Sequence, residues 1–181
     1  SSVTQAGLIN NLNDGMIWGL LPIVLMALHF NTRDIGIIAA IYPTVWGVAQ
    51  LFTGKMSDMY SKKVMLFWGM LLQGVAILLL PVSQSFFTLA SLSTILGLGT
   101  ALVYPTFLST IAQATSPDQR AESIGTFRLW RDLGYPFGAI LSGITADFFG
   151  LHEAIILVGV LTILSSFVIH FRMPAKILPE K

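Results

Sequence analysis

Six times along the chain a run of about twenty residues passes with few charges, each bounded by a short turn-forming segment. That repetition limits the fold more than any motif. A bilayer core about 30 Å thick is crossed by about 20 helical residues at 1.5 Å each. In lipid the backbone must satisfy its own N–H and C=O groups, which leaves helices or a closed barrel. The runs lack the period-2 alternation of strands, so helices are expected. The spans run from Ala6 to His29, Asp34 to Met56, Val64 to Leu80, Ser85 to Gln113, Ala121 to Phe149 and His152 to Phe171. Composition agrees: hydrophobic residues make up 54% of 181 and charged residues only 10%, where a soluble domain carries roughly 25% charged residues. The expected fold class is an all-α membrane protein of six transmembrane helices. With no cysteine in the sequence, a disulfide framework and a thiolate metal site are excluded.

The distribution of Lys and Arg sets orientation. With a cytoplasmic N-terminus, the inner side holds Lys55, Lys62, Lys63, Arg120, Arg172, Lys176 and Lys181, with Arg128 and Arg131 in the inner half of helix five. The outer side holds only Arg33. Both termini are then cytoplasmic, in a multi-pass chain of the inner (plasma) membrane. The chain opens Ser1-Ser2-Val3-Thr4-Gln5, without an initiator Met or a signal-like basic segment, and is expected to be a piece of a longer chain.

Proline placement suggests an internal 3+3 repeat, of the inverted kind. Helices one, two, four and five carry Pro22, Pro43, Pro105 and Pro136 in mid-span, while helices three and six have theirs at the ends, Pro81 and Pro174. A proline frees a backbone carbonyl, tolerable at membrane depth only against protein or a water-filled cavity. Helices one, two, four and five are therefore expected to line a cavity and three and six to face lipid, an arrangement typical of secondary transporters. The alternative is that the prolines merely shape a packed bundle.

Helix one begins Asn10-Asn11-Leu12-Asn13-Asp14-Gly15, with Trp18 beyond. At helical spacing Asn10, Asn13 and Asp14 share a face. A carboxylate in mid-membrane costs about 2.5 to 3.5 kcal/mol on insertion scales, so it marks a pathway or a partner. Asp14 is a candidate coupling group; the rival reading is an amide-rich packing seam. In helix five, Arg128 and Asp132 are four apart, as are Arg131 and Tyr135. An Asp14–Arg131 pair would relieve two desolvation penalties, leaving one guanidinium for an anionic solute group. The other reading is a structural ion-pair cluster near the inner interface. Tyr42, Trp46 and Gln50 fall on one stripe of helix two, and Tyr104 precedes Pro105; such groups suit a cavity wall but also plain packing. Gly97, Gly99, Gly134, Gly138 and Gly143 allow close helix approach. No metal-ligand spacing, nucleophile elbow or phosphate loop occurs, so enzymatic activity has no support and no cofactor or nucleic-acid partner is expected.

Between helices two and three lies Gly54-Lys55-Met56-Ser57-Asp58-Met59-Tyr60-Ser61-Lys62-Lys63, a basic, turn-rich break. With Leu66 it resembles the loop signature of the major facilitator superfamily, Gly-x-Leu-Ala-Asp-Arg-x-Gly-Arg-Lys-x-x-Leu. Gly54, Asp58, Lys63 and Leu66 match and Lys62 matches by charge, while Met59 stands where the signature has arginine. Tyr42-Pro43-Thr44-Val45-Trp46-Gly47 and Arg128-Leu129-Trp130-Arg131-Asp132-Leu133-Gly134-Tyr135 look like segments of the carboxyl-terminal six helices of bacterial members. The resemblance implies that residues 1–181 are the carboxyl-terminal half-domain of a twelve-helix carrier. Its partners are then the amino-terminal six-helix half, the lipid bilayer and a small-molecule substrate. It also implies that helices one, two, four and five line the cavity and that Gly54, Asp58, Lys62 and Lys63 form a gate, Asp58 capping a helix of the other half. The function expected is ion-coupled transport of a small solute; an oligomeric six-helix channel and a non-transporting membrane fragment remain as rivals.

Overall fold

The structure, a computed structural model, describes residues 2–174 and is built from six α-helices. They are α1 (Ser2–Ala27), α2 (Thr32–Met59), α3 (Lys62–Leu79), α4 (Phe86–Ala114), α5 (Arg120–Phe149) and α6 (Leu151–Arg172). Lys176 and Lys181, counted above among the inner cations, lie outside the described residues. The six expected helices are all present, each at its expected place. Four of them, α2, α3, α4 and α6, are long and apolar enough to cross a membrane by length and composition. The other two, α1 and α5, have 26 and 30 residues, but carry the amides and charges of the two polar segments. The chain is an integral membrane protein.

The break at Gly54 to Lys63 is mostly helical, which corrects the expectation of a turn-rich loop. α2 continues through Met59, α3 starts at Lys62, and only Tyr60 and Ser61 lie between them. The physical reason is length. At 28 residues and 1.5 Å per residue, α2 is about 42 Å long and outruns the hydrocarbon layer, so its charged end reaches water while still helical. Ser57 Oγ donates to the Gly54 carbonyl at 2.7 Å and Lys62 Nζ to the Ser57 carbonyl at 3.1 Å, which closes the helix end.

α1 packs most extensively on α5 and α2 on α4; α3 packs on both α4 and α6, and α6 also packs on α1. The α1·α5 pair is in backbone contact. A Cβ on Gly134 would lie 2.1 Å from the Leu8 carbonyl oxygen, one on Gly138 would lie 2.2 Å from that of Leu12, and one on Gly15 would lie 2.1 Å from that of Tyr135. No side chain fits there. Gly97 and Gly99 likewise sit against Tyr42 and Gly69 backbone atoms, whereas Gly143, expected to serve the same purpose, faces open space. Without a hydrophobic drive between helices in lipid, such close contact supplies much of the association energy.

Two apolar clusters fill the bundle. One joins Met16, Leu25, Ile38, Ile77, Leu89 and Ile155; the other, nearer the α2–α3 turn, joins Ala6, Leu66, Met70, Val103, Phe107 and Ile169. On every helix that contributes to both, buried polar side chains sit where the clusters meet: Asn10, Asn11, Asn13 and Asp14 around Leu12 on α1, Gln73 on α3, Thr100 on α4, and Thr162 with Ser165 and Ser166 on α6. A buried polar belt therefore crosses the bundle at mid-height. α3 and α6, expected to face lipid, each expose one apolar stripe (Val64, Trp68, Val75 and Leu79; Ile156, Val160, Leu164 and Phe171) and bury the opposite face. The least enclosed helices are α2, which buries Ile38, Tyr42, Thr53 and Ser57, and α5, which buries Phe127, Gly134, Gly138 and Ser142.

Replacing Gly138 with Ala should lower the unfolding temperature in lipid or detergent, at a cost of about 1 to 3 kcal/mol for overpacking. Gly47→Ala, where nothing lies within 4 Å, should leave it unchanged or raise it, since Ala is the better helix former by about 1 kcal/mol.

A buried polar belt as candidate functional site

The polar segment of α1 does not present one face, as the spacing of Asn10, Asn13 and Asp14 suggested. Its side chains fan out to different neighbours. Asn13 Nδ2 donates to Gln73 Oε1 of α3 at 3.1 Å, and Thr162 Oγ1 of α6 donates to Asn13 Oδ1 at 2.7 Å. Asn13, expected to meet solute, is thus occupied in tying three helices together. Asn10 is buried with neither amide atom hydrogen-bonded among the described residues.

Asp14 lies at the midpoint of α1 and is 6% exposed, the only charged side chain buried among the described residues. Its Oδ1 accepts a hydrogen bond from the Tyr42 hydroxyl of α2. Tyr42, expected as cavity wall, is 1% exposed and acts as a buried partner instead. Its oxygen also lies 3.2 Å from Thr100 Oγ1 of α4, and Thr100 Oγ1 lies 3.1 Å from the Leu96 carbonyl, to which it donates.

The expected Asp14–Arg131 pair does not form, and helix register explains why. A side chain on Gly7 would meet Phe127 and the Cβ of Arg131, and Gly15 abuts Tyr135 and Ala139. Arg131 therefore enters the seam at the level of Gly7, seven residues or about 10 Å below Asp14. Arg131 pairs with its neighbour Asp132 at 3.0 Å, the one ion pair among the described residues, and its guanidinium lies 4.7 Å over the Tyr104 ring. Asn11 Nδ2 reaches Asp132 from α1 at 3.4 Å. Arg128, expected opposite Asp132, is exposed on α5 without an ion pair among the described residues.

Around Asp14 and Arg131 the aromatics form a ladder. Trp18 packs on Tyr42 (6.3 Å between ring centroids), Tyr42 stacks on Trp46 (6.2 Å, 19°), and Trp46 meets Tyr104 edge-on (6.2 Å, 81°). Trp18, Tyr135, Arg128 and Asp132 are exposed, and Gln50 is half-buried one turn beyond Trp46. The open side thus offers a cation, a carboxylate, a phenol and an indole, and the enclosed side a carboxylate bonded to a phenol. Such a set can hold a polar aromatic solute and bind or release a proton. No cluster of three or more potential metal ligands occurs among the described residues.

At the inner end, Asp58, Lys62, Ser109, Gln113 and Arg120 line a shallow recess. Gly54 is an ordinary helical residue with open space at its Cβ position, and Lys63 is half-buried in the first turn of α3. Thr53 was not foreseen. Its hydroxyl donates at 2.6 Å to the carbonyl of Ala101, which is the group that Pro105, four residues on, leaves without its helical partner. Nor were Gln73, Thr100 and Thr162 anticipated as partners; polar residues inside apolar runs were the only signal, and such residues more often bond their own helix.

Thr53→Val keeps the shape and leaves the Ala101 carbonyl buried and unpaired. Thermal unfolding of the variant should show a loss of about 1 kcal/mol, and Thr53→Ser should recover most of it.

Comparison with known proteins now fits this geometry. The Major Facilitator Superfamily profile matches residues 4–180. An uncharacterised MFS-type transporter of Methanocaldococcus jannaschii is 26% identical over 159 residues, 88% of this chain and 41% of that protein. The inner membrane transport protein YnfM of Escherichia coli K12 is 24% identical over 161 residues, 89% of this chain and 37% of its own length. The crystal structure of the peptide transporter POT in complex with sulfate superposes with a TM-score of 0.84 at 16% identity, over 99% of this chain and 40% of that one; the likeness is one of fold. The chain spans well under half the length of the relatives it matches. With six packed helices of that fold and a profile match over nearly its whole length, the chain belongs to the Major Facilitator Superfamily.

Proposed function

We propose that residues 1–181 are the carboxyl-terminal six-helix half of a secondary transporter that moves a small solute across the inner (plasma) membrane by alternating access, coupled to protons. The observation that carries the reading is Asp14: a carboxylate buried at mid-bundle whose partner is a phenol and not a cation. Such a group is expensive to hold ionised and is suited to gaining and losing a proton. Trp18, Trp46, Gln50, Tyr104, Arg128, Arg131, Asp132 and Tyr135 are assigned to the solute-facing surface, and Asn10 and Tyr42 to the surroundings of the coupling group.

The half-domain reading is supported by the share of its relatives that the chain covers and by α2 and α5. Their faces expose Val48, Leu51, Phe52 and Met56, and Leu129, Trp130, Phe137 and Ile140, surfaces suited to the amino-terminal half. An inverted 3+3 repeat is supported by helix pairing: exchanging α1 with α4, α2 with α5 and α3 with α6 turns the α1·α5 pair into α4·α2, α3·α4 into α6·α1, and α3·α6 into itself. The cations at the α2–α3 and α4–α5 junctions favour a cytoplasmic inner end, and Asp58, Lys62 and Lys63 beside Arg120 form the proposed gate, with Gly54 at its start.

The whole carrier in proteoliposomes tests the reading. A solute would be chosen by thermal shift from a panel of polar and amphipathic small molecules. Asp14→Asn should abolish accumulation driven by a pH gradient, a drop of at least about tenfold, while solute exchange across the membrane persists. Undiminished accumulation would remove Asp14 from coupling, and unitary conductance steps in a planar bilayer would replace the carrier by a channel. Asp58→Ala should change the transport rate and leave the order of solute preference intact; an altered preference would contradict its assignment to the gate.

A further inference from the structure

We infer that Thr100 is a positioning residue that favours the proton-bound form of Asp14, acting through Tyr42. The inference rests on the reading of Asp14 as the coupling group, and it names a residue on a third helix that biases its proton. Three oxygens stand in line between α1 and α4: Asp14 Oδ1, the Tyr42 hydroxyl and Thr100 Oγ1, and the line ends on the Leu96 carbonyl. All three residues are buried.

The bonds differ in number between the two protonation states. An ionised carboxylate only accepts, so Tyr42 must give its proton to Asp14. Thr100 has a single hydroxyl proton, which goes either to the Leu96 carbonyl or to the Tyr42 oxygen. Two bonds form and one contact in the line holds no proton. When Asp14 takes up a proton on Oδ1, every donor can point the same way: Asp14 to Tyr42, Tyr42 to Thr100, and Thr100 to the Leu96 carbonyl. Three bonds then form, and donors aligned in one chain strengthen one another. One proton enters and forms an O–H bond on Asp14 Oδ1, no bond between heavy atoms changes, and the Tyr42 and Thr100 protons rotate about their C–O bonds. Thr100 is the acceptor that completes the reversed line, since besides Asp14 no other side-chain oxygen is bonded to Tyr42 among the described residues.

The remaining groups around Asp14 do not duplicate this role. α5 offers Arg131, held by Asp132 and the Tyr104 ring of α4, with Arg128 and Tyr135 on its exposed face. α3 and α6 offer the neutral Gln73 and Thr162, both engaged with Asn13. α1 itself adds the amides of Asn10, Asn11 and Asn13.

Infrared titration of the whole carrier in bilayers tests this with protons as the only probe. The carboxylic-acid C=O band that disappears in Asp14→Asn belongs to Asp14, and its growth with falling pH follows that one proton. Thr100→Val, equal in shape, should require about a tenfold higher proton concentration for half-growth of the band, the worth of one bond. Thr100→Ser should titrate as the parent does. In a Tyr42→Phe background Thr100→Val should add no further shift, because the line is already cut. An unshifted Thr100→Val titration, or the same shift in the Tyr42→Phe background, would overturn the role given to Thr100 while leaving Asp14 as coupling group. If no band is lost in Asp14→Asn at any pH where the protein is folded, Asp14 does not titrate, and both this inference and the coupling assignment fall.

Discussion

The polar belt at mid-bundle is the constraint on which the rest of the structure depends. Lipid offers an amide or a carboxylate no partner, so Asn11, Asn13 and Asp14 take theirs from within the protein. α1 carries four such side chains in five residues, and because 100° separates successive residues they cannot all be served by one neighbour. Asn13 takes α3 and α6, Asp14 takes α2, and Asn11 takes α5. One helix is thereby fixed in register against four others. Apolar packing above and below the belt could slide with little penalty, since a methyl group is as well solvated by lipid as by protein; the belt cannot slide.

The glycine contacts fix distance where the belt fixes height. On the α1·α5 seam the helices touch through carbonyl oxygens and glycine Cα atoms, a spacing that brings Asn11 to Asp132. The same seam determines which charges meet. By setting the Cβ of Arg131 level with Gly7, it leaves the guanidinium to Asp132 and the Tyr104 ring, and the carboxylate to a phenol. An ion pair there would have been neutral overall and indifferent to protons at ordinary pH; a phenol partner leaves the carboxylate with a proton-dependent charge.

The helices were legible in the sequence because their signal is local: length and apolarity are properties of a run, and all six runs became helices in place. The charged stretch at Gly54 was misjudged because turn propensity was weighed without the aqueous layer, where a helix persists once its length carries it past the hydrocarbon. Asp14 and Arg131 were legible as candidate polar groups, and Trp18, Tyr42, Trp46 and Tyr104 as aromatics inside the spans, since polar groups in mid-membrane are few. Their pairing was not legible. Opposite charges inside α1 and α5 suggested an Asp14–Arg131 pair, and the interhelical register, which no single run carries, separates them. Thr53, Thr100 and Thr162 carried no signal of their own, because threonine in a helix usually bonds back to its own backbone, as Thr100 and Thr162 also do.

Proline and threonine together help to pair the helices. Two bonds from α2 meet α4 on the N-terminal side of Pro105: Tyr42 approaches Thr100, and Thr53 donates to the adjacent Ala101 carbonyl that the proline leaves without its helical partner. These bonds and extensive packing tie α2 to α4, as the glycine contacts tie α1 to α5. The two pairs share a back wall of α3 and α6 but touch each other little, since α1 packs only slightly on α2 and α4. Asp14 and Tyr42 are the polar link across that sparse seam. On the reading of Asp14 as the coupling group, a charge gained or lost there falls on the boundary where the α1·α5 and α2·α4 pairs meet with little packing.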